Sequence, residues 1–486
     1  MNARDWNWKN ILAGVAVIAF AAFWIYSDFL TKPFIWSDES LNIQMARTLA
    51  ETGKIGIPLS PGVFSSHLHY YTSSSGWVML ASVAAGLKIG GMSFFAARSV
   101  MAIYMLAAVI LVYICVLRFR DWKTATVSAL LVASFASFIG YGKSVLGEVP
   151  GICWLLAGLL ALQYAKKWPW AYFVGGLGFG LFLATKPAFL LIGGPPLLFV
   201  IAIEYLKKRM DIKQVAIFLI AILIAVLPSI YIGSIHPITM ENIQKTALYY
   251  SNNYNSPCIR CDIQRNLWSL VSQTTFWHLE LLAAVTGVWL VTVAKSVRMD
   301  WRMRWFLLFS LLSMAYFLKS PGTNRYFFPL QFGLLILFPI ALMDIVSHYA
   351  PKMKKGVLPI SLLLVMVQSI QYAYLSDVYP NSGPPELERF LKEEVLPKPG
   401  LIGVINAPAA GAIVPADRQF QFIRNSAFGR TDGVNILTKN EEMWPETIVY
   451  GISRNIPEDV DPYLDRIRAV YAQRREIGSF VILSKE

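Results

Sequence analysis

Two adjacent carboxylates near the start of the chain, Asp38 and Glu39, are the first residues whose types and spacing could carry chemistry. They follow a tryptophan, and a carboxylate can remove a proton from an attacking hydroxyl group. A structural interpretation is also open. Ser37 or Asp38 could cap a helix over residues 39–51 that ends at Gly53, and Glu39 would then suit the positive end of the helix dipole. The pair is therefore either a candidate for general base catalysis or the start of a helix.

Three further charged residues stand between apolar stretches: Glu148, Lys186 and Arg325. Glu148 either pairs with Lys143 or has a functional role, because a carboxylate at the level of a membrane needs one or the other. Lys186 and Arg325 have no acidic residue within three positions on either side. Each could extend toward lipid headgroups or bind a phosphate. On the phosphate hypothesis, we expect both cations to converge on one pocket with Asp38.

Two other pairs of residues have spacings that can bind metal or form a covalent link. His67 and His69 alternate along an extended segment, so their side chains point the same way and could share a divalent metal with Asp38 or Glu39. Cys258 and Cys261 lie in a polar loop and could form a disulfide, half of a zinc site or two free thiols. Placement of this loop outside the membrane favours the disulfide.

The composition identifies the scaffold that must position these residues. Of 486 residues, 56% are hydrophobic and only 15% are charged, and the mean hydropathy is +0.49. Soluble globular proteins carry about 25% charged residues, so we exclude a soluble, disordered or fibrous chain and predict a polytopic α-helical membrane protein. Eleven apolar stretches predict transmembrane helices at 11–30, 94–117, 124–139, 151–165, 170–185, 187–204, 214–233, 277–294, 305–318, 327–347 and 356–375.

The basic residues orient these helices. Lys and Arg cluster at 118–123, 166–167, 207–209, 295–304 and 352–355, and such clusters favour the cytoplasmic side. Placing the N-terminus inside puts every cluster inside, and it puts the candidate residues at the outer ends of the spans. The apolar stretch 76–91 would reverse this order if it crossed the membrane, so we interpret it as a juxtamembrane or re-entrant helix on the outer side.

The charge balance divides the chain into two parts. Residues 1–375 hold 30 basic and 14 acidic residues, whereas residues 376–486 hold 13 basic and 16 acidic residues. A basic excess in a membrane domain indicates cytoplasmic loops and a lipid bilayer, not a nucleic acid. We predict a transmembrane catalytic domain over 1–375, with an outer loop at 31–93, and a small soluble α/β domain outside the membrane over 376–486. Apolar runs at 401–405 and 480–483 predict strands, and residues 462–475 predict a helix.

Taken in order, several short motifs resemble those of the GT-C glycosyltransferases, and most closely the protein O-mannosyltransferases and the lipid A aminoarabinose transferases. The likeness covers about residues 10–345, and its motifs lie at 36–39, 45–49, 97–99, 143–150, 185–186 and 324–329. The resemblance implies an inverting transfer of one hexosyl or pentosyl unit from a polyprenyl-phosphate carrier. It also implies an acceptor outside the cytoplasm and a location in the plasma (inner) membrane.

The resemblance also implies roles for individual residues. Asp38 would act on the acceptor, with Glu39 beside it and Glu148 as the acid of the second outer loop. On this hypothesis the lipid phosphate would be bound by Lys186 and Arg325, with Tyr326 next to them. The run 67–72 departs from the His-Pro-Pro-Leu or Glu-Lys-Pro elements that the family often shows at this point. This departure leaves the acceptor, and a requirement for a divalent metal, open.

Two other classes of function compete with the transferase. A transporter or flippase of a polyprenyl-linked lipid would place charges within its spans near the midplane, whereas these charges gather at the outer ends. The third hypothesis is a membrane scaffold with a sensor tail. Only the transferase consumes the donor and releases polyprenyl phosphate.

Overall fold

The computed structural model describes residues 8–33, 35–64, 76–165, 167–208, 210–228, 244, 258–272, 277–293, 301–319, 324–378, 383–422, 436–451 and 460–485. Within them the first 378 residues form fifteen α-helices. These are α1 Trp8–Tyr26, α2 Ser37–Thr52, α3 Trp77–Gly90, α4 Phe94–Phe119, α5 Trp122–Ser134, α6 Ala136–Lys143, α7 Glu148–Leu162, α8 Ala171–Thr185, α9 Pro187–Leu206, α10 Ile212–Val226, α11 Ile259–Ser272, α12 Trp277–Thr292, α13 Trp301–Lys319, α14 Phe328–Tyr349 and α15 Val357–Val378.

Each of the eleven predicted spans coincides with one of these helices or, at 124–139, with the pair α5 and α6. Five helical segments of the described chain are long and apolar enough to cross a membrane: Trp8–Tyr26, Phe94–Phe119, Ala188–Leu206, Arg325–Tyr349 and Pro351–Tyr374. The pair α5 and α6 is bent by 61° and makes a sixth if counted as one span. The remaining apolar helices are shorter, and they include α3, which covers the predicted outer stretch 76–91.

Small residues let neighbouring apolar helices approach closely. A Cβ atom at Gly178 of α8 would lie only 2.6 Å from the Cα atom of Gly158 on α7. Close backbone contact of this kind is typical of helix pairs in membranes, where van der Waals packing replaces the hydrophobic drive. Beside this pair the buried rings of Trp305 and Phe309 stack at 5.3 Å between centroids, with Phe182 edge-on to both.

The last hundred residues form a small mixed α/β unit. Its described residues hold five strands, β3 Ile402–Ile405, β4 Gln419–Phe422, β5 Thr447–Gly451, β6 Gln473–Ile477 and β7 Phe480–Ser484, in the order β4-β3-β5-β7-β6. Strand β3 pairs in parallel with β4 and β5, and the other pairs are antiparallel. Helices α16 Pro384–Phe390, α17 Pro408–Ile413 and α18 Leu464–Val470 accompany the sheet. A two-stranded ribbon of β1 Pro58–Ser60 and β2 Val63–Phe64 lies between α2 and α3.

The predicted helix over 462–475 is wrong in its second half. Residues 464–470 are helical, but residues 473–477 form β6 and pair with β7 across a tight turn. Gly478 in this turn has φ +56°, a left-handed conformation that glycine adopts readily. The antiparallel hairpin therefore outweighs the helical tendency of the Gln-Arg-Arg-Glu sequence.

The sheet unit packs on the segment between α1 and α4, which contains α2. One hydrophobic core joins Ile43 and Ala46 of α2 to Val404 and Ile482 of the sheet and to Ile413 of α17. A second core lies on the other side of the sheet and is built around Trp444 and Tyr471. One end of the spans, α2 and the sheet thus form consecutive layers, and the candidate residues lie where α2 meets the spans.

Candidate active site

Helix α2 carries the two adjacent carboxylates in its first turn, and it ends where the sequence predicted. It ends at Gly53, which has φ +74° and donates its N–H to the Leu49 carbonyl, as expected for a glycine C-cap. Its start is different, because Trp36 occupies the N-cap position and no side chain caps the helix. The interpretation of Asp38 as an N-cap is therefore wrong, and its carboxylate is free for another contact.

Glu39 points away from Asp38 and into the protein. Its two oxygens each accept a 2.8 Å hydrogen bond from the Arg98 guanidinium, and both side chains are 0% exposed. Arg98 also donates to the carbonyl oxygens of Phe29 and Pro33. Glu39 was predicted in the catalytic group beside Asp38, but this closed network fixes the start of α2. We therefore leave it out of the proposed catalytic group.

Two glycines bring Glu148 and Lys186 together. A Cβ atom at Gly147 would lie 2.9 Å from the Thr185 carbonyl oxygen and 3.3 Å from the Lys186 Cβ atom, so only glycine allows this approach. Gly76 packs on the same segment, where its N–H donates to the Thr185 carbonyl at 2.8 Å. The start of α7, the end of α8 and the start of α3 therefore meet at one point.

Lys186 forms a buried ion pair with Glu148 at this point, where its Nζ atom donates to Glu148 Oε1. The sequence showed no acid near Lys186, but the tertiary structure supplies one from 38 residues away. The alternative pairing of Glu148 with Lys143 is wrong. The Lys143 Nζ atom donates instead to the Ser27 carbonyl at 2.6 Å and to the Tyr372 hydroxyl at 3.2 Å.

Arg325 lies in the helical turn Asn324–Phe327 and pairs with Asp38. Its Nη2 atom donates to Asp38 Oδ2 at 2.8 Å, and its guanidinium carbon lies 4.7 Å from the Trp36 ring centroid. Tyr326, predicted as a phosphate contact, presents its ring to Lys186, with Nζ 5.6 Å from the centroid. Arg325 also interacts electrostatically with Glu148, and Lys186 does so with Asp38. The structure thus joins Asp38, Glu148, Lys186 and Arg325 in one charged cluster.

The charged cluster is neutral in sum but incomplete in its hydrogen bonds. Two carboxylates face two cations, yet Glu148 Oε2 and Arg325 Nε are buried and have no hydrogen-bond partner among the described residues. A buried polar atom without a partner costs about 1–3 kcal/mol, and more when the group is charged. One donor and one acceptor are therefore available to a ligand that carries both an anionic oxygen and a hydroxyl group.

Of the two remaining predicted pairs, the structure describes the cysteines but not the histidines. His67 and His69 lie outside the described residues, so their role in metal binding stays a prediction. Cys258 and Cys261 are joined by a disulfide. Among the described residues no group of three or more His, Cys, Asp or Glu side chains could hold a metal ion. Asp38 and Glu148 each face a cation instead, so we derive no step through a metal.

Reasoning from the sequence missed two polar residues around the charged cluster. Asn42 donates from Nδ2 to the Val145 carbonyl at 2.7 Å, which ties α2 to the segment that leads into Glu148. Its position, four residues after Asp38 on one helix face, is a signal that could have identified it. Tyr141 lies edge-on to Phe328 at 5.6 Å and interacts electrostatically with Glu148 and Arg325. Nothing in its local sequence marks it.

No family model matches the chain, and no curated protein matches it in sequence. Among solved structures, ArnT from Cupriavidus metallidurans bound to undecaprenyl phosphate has a TM-score of 0.62 at 13% identity, covering 98% of each chain. The apo oligosaccharyltransferase of Archaeoglobus fulgidus has a TM-score of 0.55 at 12% identity, covering 91% of this chain and 69% of that chain.

The chain has a GT-C fold. The same oligosaccharyltransferase in complex with zinc and sulfate resembles this chain with a TM-score of 0.53 at 13% identity, covering 90% of this chain and 68% of that chain. The predicted GT-C-like architecture, a polytopic α-helical membrane protein with a small C-terminal α/β unit, is thereby confirmed. At these identities the likeness concerns the fold, and the roles of individual residues have to be argued from the charged cluster.

Proposed function

We propose that this GT-C protein is an inverting glycosyltransferase that moves one sugar from a polyprenyl-phosphate donor to an acceptor outside the cytoplasm. The observation that carries the proposal is the charged cluster at one end of the spans. A partly exposed carboxylate there lies beside two cations, and one arginine N–H is unsatisfied. The fold supports the class of reaction, and the undecaprenyl phosphate bound to the similar ArnT supports the class of donor.

Asp38 is the proposed general base. It is the more exposed of the two cluster carboxylates, with its side chain 34% exposed against 1% for Glu148. As the acceptor oxygen attacks the anomeric carbon of the sugar, Asp38 takes the hydroxyl proton and the bond from that carbon to the phosphate oxygen breaks. The new glycosidic bond forms with inversion, and polyprenyl phosphate leaves with the electron pair.

Lys186 and Arg325 are the proposed phosphate ligands. Negative charge builds on the phosphate as the sugar departs, and fixed cations aimed at that oxygen stabilise the transition state. The buried Arg325 Nε atom has no partner among the described residues, so it can donate to the phosphate without breaking an existing bond. A phosphate is a good leaving group at neutral pH, so the mechanism requires no general acid.

Glu148 has a different proposed role from Asp38. Its Oε1 atom holds Lys186, whereas its Oε2 atom is buried and has no partner in the described part of the chain. A hydroxyl group of the bound sugar would satisfy that oxygen. Glu148 therefore orients a cation and binds the sugar, and it keeps Lys186 from being an isolated buried charge.

The test is a transfer assay on the full-length protein in liposomes. Radiolabelled polyprenyl-phosphate sugars are supplied with an extract of cell-envelope acceptors, and release of polyprenyl phosphate is measured together with labelled product. The proposal expects release that depends on the protein and on acceptor, and mass spectrometry of cell envelopes should show a glycan that disappears with the protein. Movement of intact donor across the bilayer without release would support the flippase instead.

We further propose that the N-terminus is cytoplasmic and that residues 376–486 lie outside, with the membrane domain over 1–375. Two exposed positions test this orientation with an impermeant thiol reagent on intact cells. Asp465→Cys in the C-terminal unit should be labelled, whereas Lys354→Cys in the helical turn Pro351–Gly356 should not. The unmodified chain gives the background. Labelling at 354 but not at 465 would reverse the topology and place the charged cluster on the cytoplasmic side.

A further inference from the structure

We infer that the C-terminal sheet unit positions helix α2, and that Gln44 and Gln421 are positioning residues for Asp38. The inference rests on the proposed function, because it concerns the base of that reaction. Sequence separates these glutamines by 377 positions, and neither approaches the charged cluster itself. They act through the helix that carries Asp38.

The contact is a buried cluster of three amide side chains, which we call the amide cluster: Gln44 of α2 with Gln419 and Gln421 of β4. All three are at most 1% exposed. Gln44 Nε2 donates to Gln421 Oε1 at 2.5 Å, and Gln419 Nε2 donates to the same oxygen. Loss of a hydrogen bond from a buried amide costs about 1–3 kcal/mol, and in this cluster Gln419 Oε1 already has no partner among the described residues. Separation of α2 from the sheet would therefore leave several polar groups unpaired.

Gly411 of α17 makes room for the amide cluster. A Cβ atom at this position would lie 3.0 Å from Gln44 Nε2 and 3.2 Å from Gln419 Nε2. Both distances are shorter than ordinary van der Waals contact. Neither neighbouring amide can move aside without losing a hydrogen bond to Gln421. The close fit of a third segment on the same amides indicates that the contact between α2 and the sheet unit is specific.

Arg47 adds a second polar contact one turn further along α2. Its Nη1 atom donates to the carbonyl oxygens of Ala412 and Ile413 at the end of α17, and its Nε atom donates to Glu51 at 2.6 Å. These carbonyls are among those that a helix end leaves without an internal partner. The arginine therefore completes the end of α17 while it holds α2.

The two halves of α2 are held by different parts of the molecule. The part up to Asn42 is fixed to the membrane domain by Glu39 and Asn42, and the part from Gln44 onward, called the second half here, is fixed to the sheet unit by Gln44 and Arg47. Asp38 lies six residues before Gln44, which is about 9 Å along a helix. A loosened second half lets the helix tilt, and a misplacement of about 1 Å in a reacting group can cost on the order of a hundredfold in rate.

The test compares three variants with one control in the full-length protein. Gln44→Met and Gln421→Met remove one amide each at similar volume, and Gly411→Ala introduces the crowding methyl group. Gln473→Met on the exposed face of β6 is the matched control. We expect the three variants to lower kcat about tenfold and to leave the KM for the donor within about twofold. The double variant Gln44→Met/Gln421→Met should lower kcat little more than either single variant, because both substitutions remove the same contact.

Hydrogen exchange of the backbone amides in α2 gives a readout that does not depend on catalysis. Exchange over residues 44–51, the part of α2 that the sheet unit holds, should be faster by about tenfold or more in the variants than in the control, with the exchange of α8 and α9 unchanged. Wild-type kcat and wild-type exchange in Gln44→Met and Gln421→Met would overturn the inference. Faster exchange throughout the protein, with kcat and KM changed together, would also overturn it and indicate a general loss of stability. If the wild-type protein shows no transfer, the proposed function fails while the exchange experiment still decides whether the sheet unit holds α2.

Discussion

Asp38 and Glu39 are neighbours in sequence, yet they occupy opposite kinds of environment. Glu39 is completely buried, and both of its oxygens bind one guanidinium whose other N–H groups reach two carbonyls. Asp38 is one-third exposed and, within the described residues, accepts a hydrogen bond from an arginine whose Nε atom has no partner there. One ion pair is complete without a ligand, and the other is not.

The difference separates a structural ion pair from a candidate binding site. A buried pair persists only when additional hydrogen bonds compensate for desolvation, and the Glu39–Arg98 pair has them. The charged cluster around Asp38 has a surplus donor and a surplus acceptor, so it can gain hydrogen bonds when a ligand arrives. Completeness of hydrogen bonding, and not the mere presence of charge, is the criterion that distinguishes these two adjacent residues.

The sharpest test of this comparison is Asp38→Asn. The amide keeps the shape of the side chain but cannot accept a proton, so we expect transfer to fall by roughly 10²- to 10⁴-fold, the range for loss of a general base. The unfolding temperature should change little. Asp121→Asn is the matched control, because Asp121 caps α5 and asparagine caps almost equally well. Near-normal transfer by Asp38→Asn would remove Asp38 as the base.

Glu39→Gln should have the opposite profile. Removal of one partner leaves the Arg98 guanidinium buried without its counter-charge, which costs about 3–5 kcal/mol of unfolding free energy. We expect a lower unfolding temperature and less monodisperse protein in detergent. Arg98→Lys, with Glu39 intact, should also lower the unfolding temperature, because an ammonium cannot make the two parallel bonds to Glu39. A stable Glu39→Gln protein that has lost transfer would place Glu39 back in the catalytic group.

Lys186→Met and Arg325→Met test whether the two cations of the charged cluster bind the lipid phosphate. A hydrogen bond to a charged group contributes about 1.5–3 kcal/mol, so each change should weaken binding of polyprenyl phosphate about ten- to a hundredfold. The double variant Lys186→Met/Glu148→Gln removes one positive and one negative charge, so the charged cluster stays neutral. Its affinity shows how much of the effect of Lys186→Met comes from the lost contact with phosphate and how much from leaving the Glu148 carboxylate buried without a partner. Lys319→Met, at the exposed end of α13, is the control. Unchanged affinity in both single variants would return the two cations to a purely structural role.

The smallest expected effect is at Trp36, whose ring lies under the Arg325 guanidinium. A cation–π contact at a partly exposed site contributes about 0.5–1 kcal/mol, so Trp36→Leu should weaken binding of polyprenyl phosphate about two- to fivefold. Trp36→Phe should retain part of the effect because it retains an aromatic face. Titration of polyprenyl phosphate by calorimetry measures both. An effect of Trp36→Leu as large as that of Arg325→Met would mean that the ring contacts the ligand directly.

The sequence alone determined the scaffold and the candidate residues of this protein. Long apolar stretches admit only membrane helices. Each predicted span overlaps a described helix, and five of these helices, or six with the bent pair, are long and apolar enough to cross a membrane. The residue types of Asp38, Glu148, Lys186 and Arg325 marked them as candidates, because isolated charges at the ends of apolar stretches need partners or a role. The end of α2 at Gly53 could also be predicted from the local sequence, because it depends only on the backbone conformation of that one residue.

Only the tertiary structure decided which charges meet. Arg325 and Asp38 are 287 residues apart and Lys186 and Glu148 are 38 residues apart, and no local pattern relates them. The tertiary structure also separated Glu39 from Asp38, because successive residues on a helix point about 100° apart and so reach different neighbours. A residue's type and local conformation are set by its nearest neighbours in sequence. Its partners are set by the packing of distant segments, which here depends on close approaches such as that of Gly147 to Thr185.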